Sequence, residues 1–547
     1  MIRRLINNKL LNEKPTESVT AAAFIIALSG IVSRILGLLR DRILASQFGA
    51  GDTLDVYYAS FRVPDLIYNL LILGALSAAF IPIFTGLFSK DRKEEAWKMA
   101  AGVLNISILA IAGLSVILVF FAPWIMKLLT PGFSPEKMEM VVLFTRIMFL
   151  SPLLLGISAV FGGVLVSLKK FLMYSLAPIL YNIGIILGVL FLVPWIGPVG
   201  LAWGVVLGAF LHMLIQYPSV KASGFHFSLE WLNLLKNEEI KKVVYLMIPR
   251  ILSIAVTQFN LTIITIFAST LRPGSLSIFN FANNIQSAPL GLFGISFAIA
   301  VFPSLSVYAA KESREDFVKV FSKTLRQILF FIIPISVFII ILRAQIVRLV
   351  LGSGKFDWED TILTFGVLGF LSFSLFAQSI IPLLTRSFYA LQNTKTPFYI
   401  ALFSEALNII LVLFLIKQYT LMGLAIAFSA ASTINATLLF YFLRKKMGSL
   451  DDRNIFSSIG KILLATLVAG LGVQITKYLV GIFFDLDTFL SVLTQFVLAA
   501  GAGVGLFSLV SIILEIDEFK QFKHSLTRKI FGAKEQIVED SSEVRGM

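Results

Sequence analysis

The chain contains no cysteine, which excludes disulfides, thiolate nucleophiles and cysteine metal sites. Its three histidines, His212, His226 and His524, lie too far apart for a paired metal motif. Charge is scarce too: Asp, Glu, Lys and Arg make up 14% of residues, against about 25% in a soluble domain. There is no P-loop, and GAGVG at 501–505 lies in an apolar run, where close helix packing accounts for it. Asp485 and Asp487 are spaced like the paired carboxylates of a metal-dependent glycosyltransferase. They stand in a short loop without the domain such an enzyme needs. These gaps argue against an enzyme.

Apolar residues, in contrast, make up 57% of the 547 positions and are spread over the whole length. That pattern predicts an all-α polytopic membrane protein. A span needs about 20 apolar residues, and on that measure about fourteen segments qualify. They fall at 19–48, 54–88, 98–122, 138–167, 171–194, 198–218, 241–270, 276–308, 322–350, 361–388, 397–416, 420–443, 456–480 and 488–514. The net charge of +14 fits a positive-inside bias rather than nucleic-acid binding. Lys and Arg gather in the N-terminal segment, the C-terminal tail and every second loop, so both termini are expected to be cytoplasmic. The first apolar run is long enough to span, so no cleavable leader is expected.

An internal repeat divides the chain. SKDRKEEAWK (89–98) returns as AKESREDFVK (310–319), and Pro82 as Pro303. LTPGF (129–133) aligns with GSGKF (352–356), and VGLAWG (199–204) with MGLAIA (422–427). The expected architecture is two pseudo-symmetric six-helix lobes around a central cavity, with a C-terminal helix pair appended. The boundaries are an N-terminal segment 1–18, an N-lobe 19–222, a C-lobe 223–446, a hairpin 447–514 and a tail 515–547.

The polar residues inside these spans are the candidate site. Between Ser33 and Arg62 the chain carries Arg34, Arg40, Asp41, Arg42, Asp52, Asp55 and Arg62. Each charge near mid-bilayer costs about 2.5–3.5 kcal/mol, so such a cluster implies a wet cavity or mutual pairing. Gly30, Arg34, Gly37 and Asp41 share one helix face. In the eighth span Asn280, Asn283, Asn284 and Ser287 form a stripe that could bind polar cargo or glue helices. Arg250, Arg146 and Arg386 stand in or near spans, where snorkelling is the simpler reading. Glu405 and Asn408 are candidates for a coupling ion, sodium or a proton, or for pairing with an arginine. Gly37, Pro64 and Pro289 are candidate hinges. No resident cofactor or metal is expected.

At SRILGLLRD (33–41), FGAGDTLDVYYASFRVPD (48–65) and RSFYALQNTKTP (386–397), the chain resembles the MurJ (MviN) lipid II flippases. These belong to the multidrug/oligosaccharidyl-lipid/polysaccharide (MOP) exporter superfamily. The resemblance implies an alternating-access transporter of the bacterial cytoplasmic (inner) membrane. Its implied cargo is lipid II, an undecaprenyl-pyrophosphate-linked disaccharide-pentapeptide carried to the outer leaflet for peptidoglycan synthesis. It further implies that the last two spans form a groove for the lipid tail, with membrane lipids and the cell-wall synthesis machinery as partners. By position Arg34, Arg40, Asp41 and Asp55 match polar residues of the family's cavity motif, and Arg62 matches a site often basic there. Members often carry arginine where this chain has Tyr68, Asn69 and Asn284, and acid where it has Leu73, so the cavity here is less basic. A flippase for another polyprenyl-linked glycan and a cation-coupled exporter of the same superfamily are the competing expectations.

Overall fold

The computed structural model describes residues 19–70, 80–227 and 260–524. Every regular element among them is helical. The first elements are α1 (Val19–Phe48), α2 (Asp52–Ser60), α3 (Arg62–Tyr68), α4 (Ile81–Ser89) and α5 (Lys93–Leu129). Then come α6 (Pro135–Met148), α7 (Leu150–Ser167), α8 (Phe171–Leu187), the single turn α9 (Val193–Ile196) and α10 (Gly200–Ala222). A short helix α11 covers Asn260–Ser269. It is followed by α12 (Ser275–Pro289), α13 (Ser296–Ala310), α14 (Arg314–Val350), α15 (Trp358–Phe373) and α16 (Leu375–Ala390). The chain closes with α17 (Lys395–Met447), α18 (Asp452–Phe483) and α19 (Phe489–Ile513).

Eight helices are long and apolar enough to cross a membrane among the described residues, or nine if α15 and α16, bent by 45°, count as one span. This is a multi-span membrane protein. The expected count of about fourteen is not reached, for identifiable reasons. Phe171–Ala222 and Lys395–Met447 are single stretches of 52 and 53 residues, far longer than the roughly 20 that one crossing needs. Each takes up two of the expected segments and is broken inside, at Gly197 (φ 68°) and Thr420 (φ 47°). The segment 19–48 carries four charges within nine residues, and parts of 54–88 and 241–270 lie outside the described residues.

The chain forms two compact units: residues 1–281 with 350–360, and residues 282–349 with 361–547. In the first, Phe80, Phe84, Met99, Phe161 and Val164 form a buried core. There α8 and α10 pack backbone to backbone through glycine. A Cβ on Gly204 would lie 2.9 Å from the Gly188 Cα, and one on Gly208 2.5 Å from the Tyr181 carbonyl oxygen. Without a hydrophobic effect between helices in lipid, such close approach supplies the packing energy. In the second unit Phe330, Ile462, Ala465 and Phe507 join α14 to the α18–α19 pair. Large apolar side chains such as Phe120, Trp124, Leu471 and Ile512 stay exposed, as a lipid-facing surface requires.

Helix ends follow the charge of the sequence. Both α5 and α14 run 37 residues, with two acids in the first turn and a base in the last. These charges complement the helix dipole.

Candidate functional site

The charged stretch begins on α1. Arg34 lines a cavity of about 500 Å³ inside the first unit, together with Ser33, Tyr68, Ser158, Tyr174, Ser175, His212 and Gln216. Among the described residues neither Asp nor Glu lines it. Ser158 Oγ lies 2.7 Å from His212 Nδ1, and Gln216 donates its amide both to Ser158 Oγ and to the His212 carbonyl. Gln216 is 1% exposed, yet its Oε1 has no hydrogen-bond partner, and neither has Ser175 Oγ.

One turn and a half along, Arg40 is held rather than presented. Its Nη2 and Nε donate to Asp41 Oδ1 at 2.8 and 3.1 Å, and its Nη1 donates to Asn182 Oδ1 at 3.1 Å. Asn182, from α8, in turn donates to the Ser33 carbonyl and the Pro178 carbonyl. Asp41 is 2% exposed, and Arg40 supplies its counter-charge. Gly37 leaves room for this arrangement: a Cβ there would lie 3.9 Å from Asn182 Oδ1. Sequence reasoning missed Asn182; an amide four residues after Pro178 in an apolar span was the available signal.

Asp55 and Arg62 bind α11 and the start of α12. The Asp55 carboxylate accepts from Gly274 N (2.7 Å), Ser277 N (2.9 Å) and Ser277 Oγ (2.7 Å). It caps the N-terminus of α12 from another segment, where the dipole favours an anion. Arg62 Nε donates to Thr265 Oγ1 at 2.7 Å and its Nη2 to Asn280 Oδ1 at 2.9 Å. Asn280 Nδ2 donates onward to the Leu276 carbonyl. Thr265 is a second partner absent from the sequence reading. Pro64 sits just inside α3, and the break from α2 at Phe61 follows because proline cannot donate to the Ser60 carbonyl.

The same end of this unit carries a dense polar seal. Ala50 N donates to Asp360 Oδ2 at 2.8 Å, and Lys355 N to the Ser46 carbonyl at 2.8 Å. Lys137 pairs with Asp52 and lies over the Phe133 ring. Arg272 pairs with Glu359. Gly274 (φ 86°) and Gly354 (φ 59°) press against the backbone at Ala50 and Ser46, so neither position has room for a Cβ.

The other candidates fall in the second unit. Gln286 donates to Asn283 Oδ1 at 3.1 Å, and Ser287 Oγ to the Asn284 carbonyl. Immediately after Pro289 the helix widens into a π turn over Leu290–Ile295. Asn408 Nδ2 donates to Glu405 Oε1 at 3.3 Å, while the buried Asn408 Oδ1 and Ser404 Oγ have no hydrogen-bond partner. Among the described residues no group of three or more His, Cys, Asp or Glu could hold a metal ion. Arg250 lies outside the described residues. A second cavity, about 500 Å³ and lined mainly by apolar side chains of α14, α16, α17 and α18, runs through this unit.

The sequence profile of the family "Lipid II flippase MurJ" matches residues 44–493. A probable lipid II flippase MurJ of Bdellovibrio bacteriovorus is 31% identical over 78% of this chain and 83% of its own length. A lipid II flippase MurJ of Burkholderia cenocepacia is 28% identical over 76% and 82% respectively. Among solved structures, a lipid II flippase MurJ in an inward closed conformation matches with a TM-score of 0.72 at 25% identity, covering 90% of this chain and 99% of that one. An inward-facing multidrug transporter of the MATE family, MOP superfamily, matches with a TM-score of 0.65 at 16% identity, over 77% and 96%, and shares the fold alone. With most of its length under the family profile, the chain belongs to the lipid II flippase MurJ family.

Proposed function

We propose that this protein carries lipid II across the bacterial inner membrane, taking the headgroup through protein while the lipid tail stays in the membrane. The observation that carries this reading is the cavity bearing Arg34 beside hydroxyl and amide side chains, in a span where an arginine would otherwise be costly. Guanidinium offers a planar fork for phosphate oxygens, and the hydroxyl and amide groups around it suit a sugar. Moving the headgroup this way avoids stripping its water in hydrocarbon. No covalent step is needed.

In this reading the chain has fourteen spans with both termini cytoplasmic, in an N-lobe (19–222), a C-lobe (223–446) and a hairpin (447–514). What supports the doubled design is the recurrence of backbone features. Positive φ occurs at Asp91 and Glu312, at Lys169 and Gln392, and at Gly197 and Thr420. The seal around Asp55, Ala50 and Asp360 then falls on the outer side, where it must open for release. Arg40, Arg62, Asn280, Asn283, Asn284 and Ser287 act as positioning or lining residues, with Arg250 a further basic contact. Gly37, Pro64 and Pro289 serve as bending points, the last supported by the π turn that follows it.

The test is binding of purified lipid II to the wild type and to Arg34→Ala. The variant should melt at the same temperature and bind at least about tenfold more weakly. Equal affinity would remove Arg34 from the site. A second reading, a cation-coupled exporter, draws on Glu405, Asn408 and the partnerless Asn408 Oδ1. It predicts that Glu405→Gln abolishes uptake driven by a sodium or proton gradient while lipid II binding is absent in the wild type.

A further inference from the structure

A chain of side-chain hydrogen bonds crosses the second unit, and backbone carbonyls set its direction. It starts on α17, where Ser429 Oγ donates to the Phe370 carbonyl at 2.8 Å. With its one proton so placed, Ser429 Oγ is an acceptor for Ser374 Oγ, 3.0 Å away. Ser374 is buried at the 45° bend between α15 and α16. Its proton goes to Ser429 or to the Leu371 carbonyl at 3.1 Å, so toward Gln378 it is an acceptor. Gln378 Nε2 donates to it at 2.9 Å and lies 3.5 Å from the Leu371 carbonyl, which keeps the amide nitrogen on that side. The same nitrogen reaches Gln286 Oε1 on α12 at 3.4 Å. Gln286, 1% exposed, is left with its nitrogen toward Asn283, and Nε2 donates to Asn283 Oδ1 at 3.1 Å.

The relay therefore ends on an amide turned one way. The Asn283 oxygen is engaged, and the group this half-buried side chain presents is Nδ2, which only donates. Interhelical amides often serve as glue, and the Gln378–Gln286 bond does join α16 to α12. Beside it the two backbones already touch: a Cβ on Gly294, in the π turn after α12, would lie 2.7 Å from the Ser379 carbonyl oxygen. The Gln286–Asn283 bond is different. It links two residues of one helix, so it adds nothing to the grip between helices. Its effect is to orient Asn283.

We propose that Gln286 and Gln378 are positioning residues that fix the Asn283 amide with its nitrogen presented, so that Asn283 donates to a hydrogen-free oxygen of the cargo headgroup. This rests on the transport reading above, in which α12 lines the route. A hydroxyl pairs with either end of an amide, whereas a phosphoryl or amide carbonyl oxygen pairs only with the nitrogen. A fixed direction matters for that second kind of group alone. Every member of the relay belongs to one compact unit, so the orientation persists when that unit moves as a body.

The test is binding of lipid II to the full chain in detergent micelles, with melting as the check on folding. N283D still accepts from Gln286 but presents an acceptor, and should lose about tenfold in affinity; N283A should lose about threefold. Q286M frees Asn283 to turn and should also lose about threefold, yet nothing further in the N283A background. If Q286M fails to fold, Q378E at its half-buried position reverses the relay and should show the same pattern. Losses that add in the double variant, or an N283D protein that binds as the wild type does, overturn the proposal and leave the transport reading standing. So does a Q286M protein that melts lower but binds equally, the result expected of glue. A wild type that does not bind lipid II defeats the transport reading and this assignment with it. Undecaprenyl pyrophosphate, titrated in parallel, identifies the oxygen. A matching loss in N283D assigns the phosphoryl group, and a loss confined to lipid II assigns the amide carbonyls of its sugar and peptide.

Discussion

At the scale of single residues, the charges of the Ser33–Arg62 stretch divide by what they touch. Arg34 lines a cavity; Arg40 bonds to Asp41 and Asn182, Asp55 to the start of α12, and Arg62 to Thr265 with Asn280. The consequences of substitution differ accordingly. Arg40→Ala leaves Asp41 buried without its counter-charge, a change that costs about 3–5 kcal/mol when a buried pair is broken. The expected result is a sharply lowered yield and melting temperature. Asp55→Asn removes the charge from three hydrogen bonds at the α12 N-terminus and should cost about 1–3 kcal/mol. Thermal unfolding of purified Asp55→Asn measures this, and an unchanged midpoint would contradict the capping role. The charges themselves were legible in the sequence because they interrupt an apolar run. Their partners were not, because Asn182 and Thr265 lie over a hundred residues away and one amide among apolar neighbours carries no periodic signal.

At the scale of elements, small residues decide which helices touch. The α8–α10 pair depends on Gly188 and Gly204, whose backbones leave no space for a side chain. Gly204→Leu must push the helices apart and should cost about 1–3 kcal/mol or more. Gly204→Ala at the same position should cost less, because a single methyl demands a smaller shift. Melting curves of the two variants should rank in that order; equal curves would contradict the tight contact. Long apolar elements were readable from composition and period, since nothing else keeps about 20 apolar residues together. Their breaks were harder. Gly197 and the π turn after Pro289 sit at residues that announce a turn or bend, but Thr420 adopts φ 47° with no glycine or proline to mark it. There Gly423, pressed against the Leu415 carbonyl, fixes the return of the chain.

At the scale of the whole molecule, the repeat seen in SKDRKEEAWK and AKESREDFVK reappears as two 37-residue helices with matching end charges. Element order was therefore visible from sequence. The grouping of 350–360 with the first unit was not, because it rests on backbone contacts such as Lys355 N to the Ser46 carbonyl. Since the chain lacks cysteine, that contact can be locked by a single introduced pair. Ser46→Cys with Lys355→Cys should form a disulfide, halt transport and recover it on reduction. Full transport with the disulfide intact would show that this seal never opens. The central claim, that the Arg34 cavity passes the headgroup of lipid II, is tested most directly in proteoliposomes carrying fluorescent lipid II. The rate at which the headgroup reaches the opposite leaflet is measured for the wild type and for folded Arg34→Ala. The account predicts transfer well above that of protein-free vesicles, slowed at least about tenfold by the substitution. A wild type no faster than empty vesicles, or an Arg34→Ala protein as fast as the wild type, would contradict it.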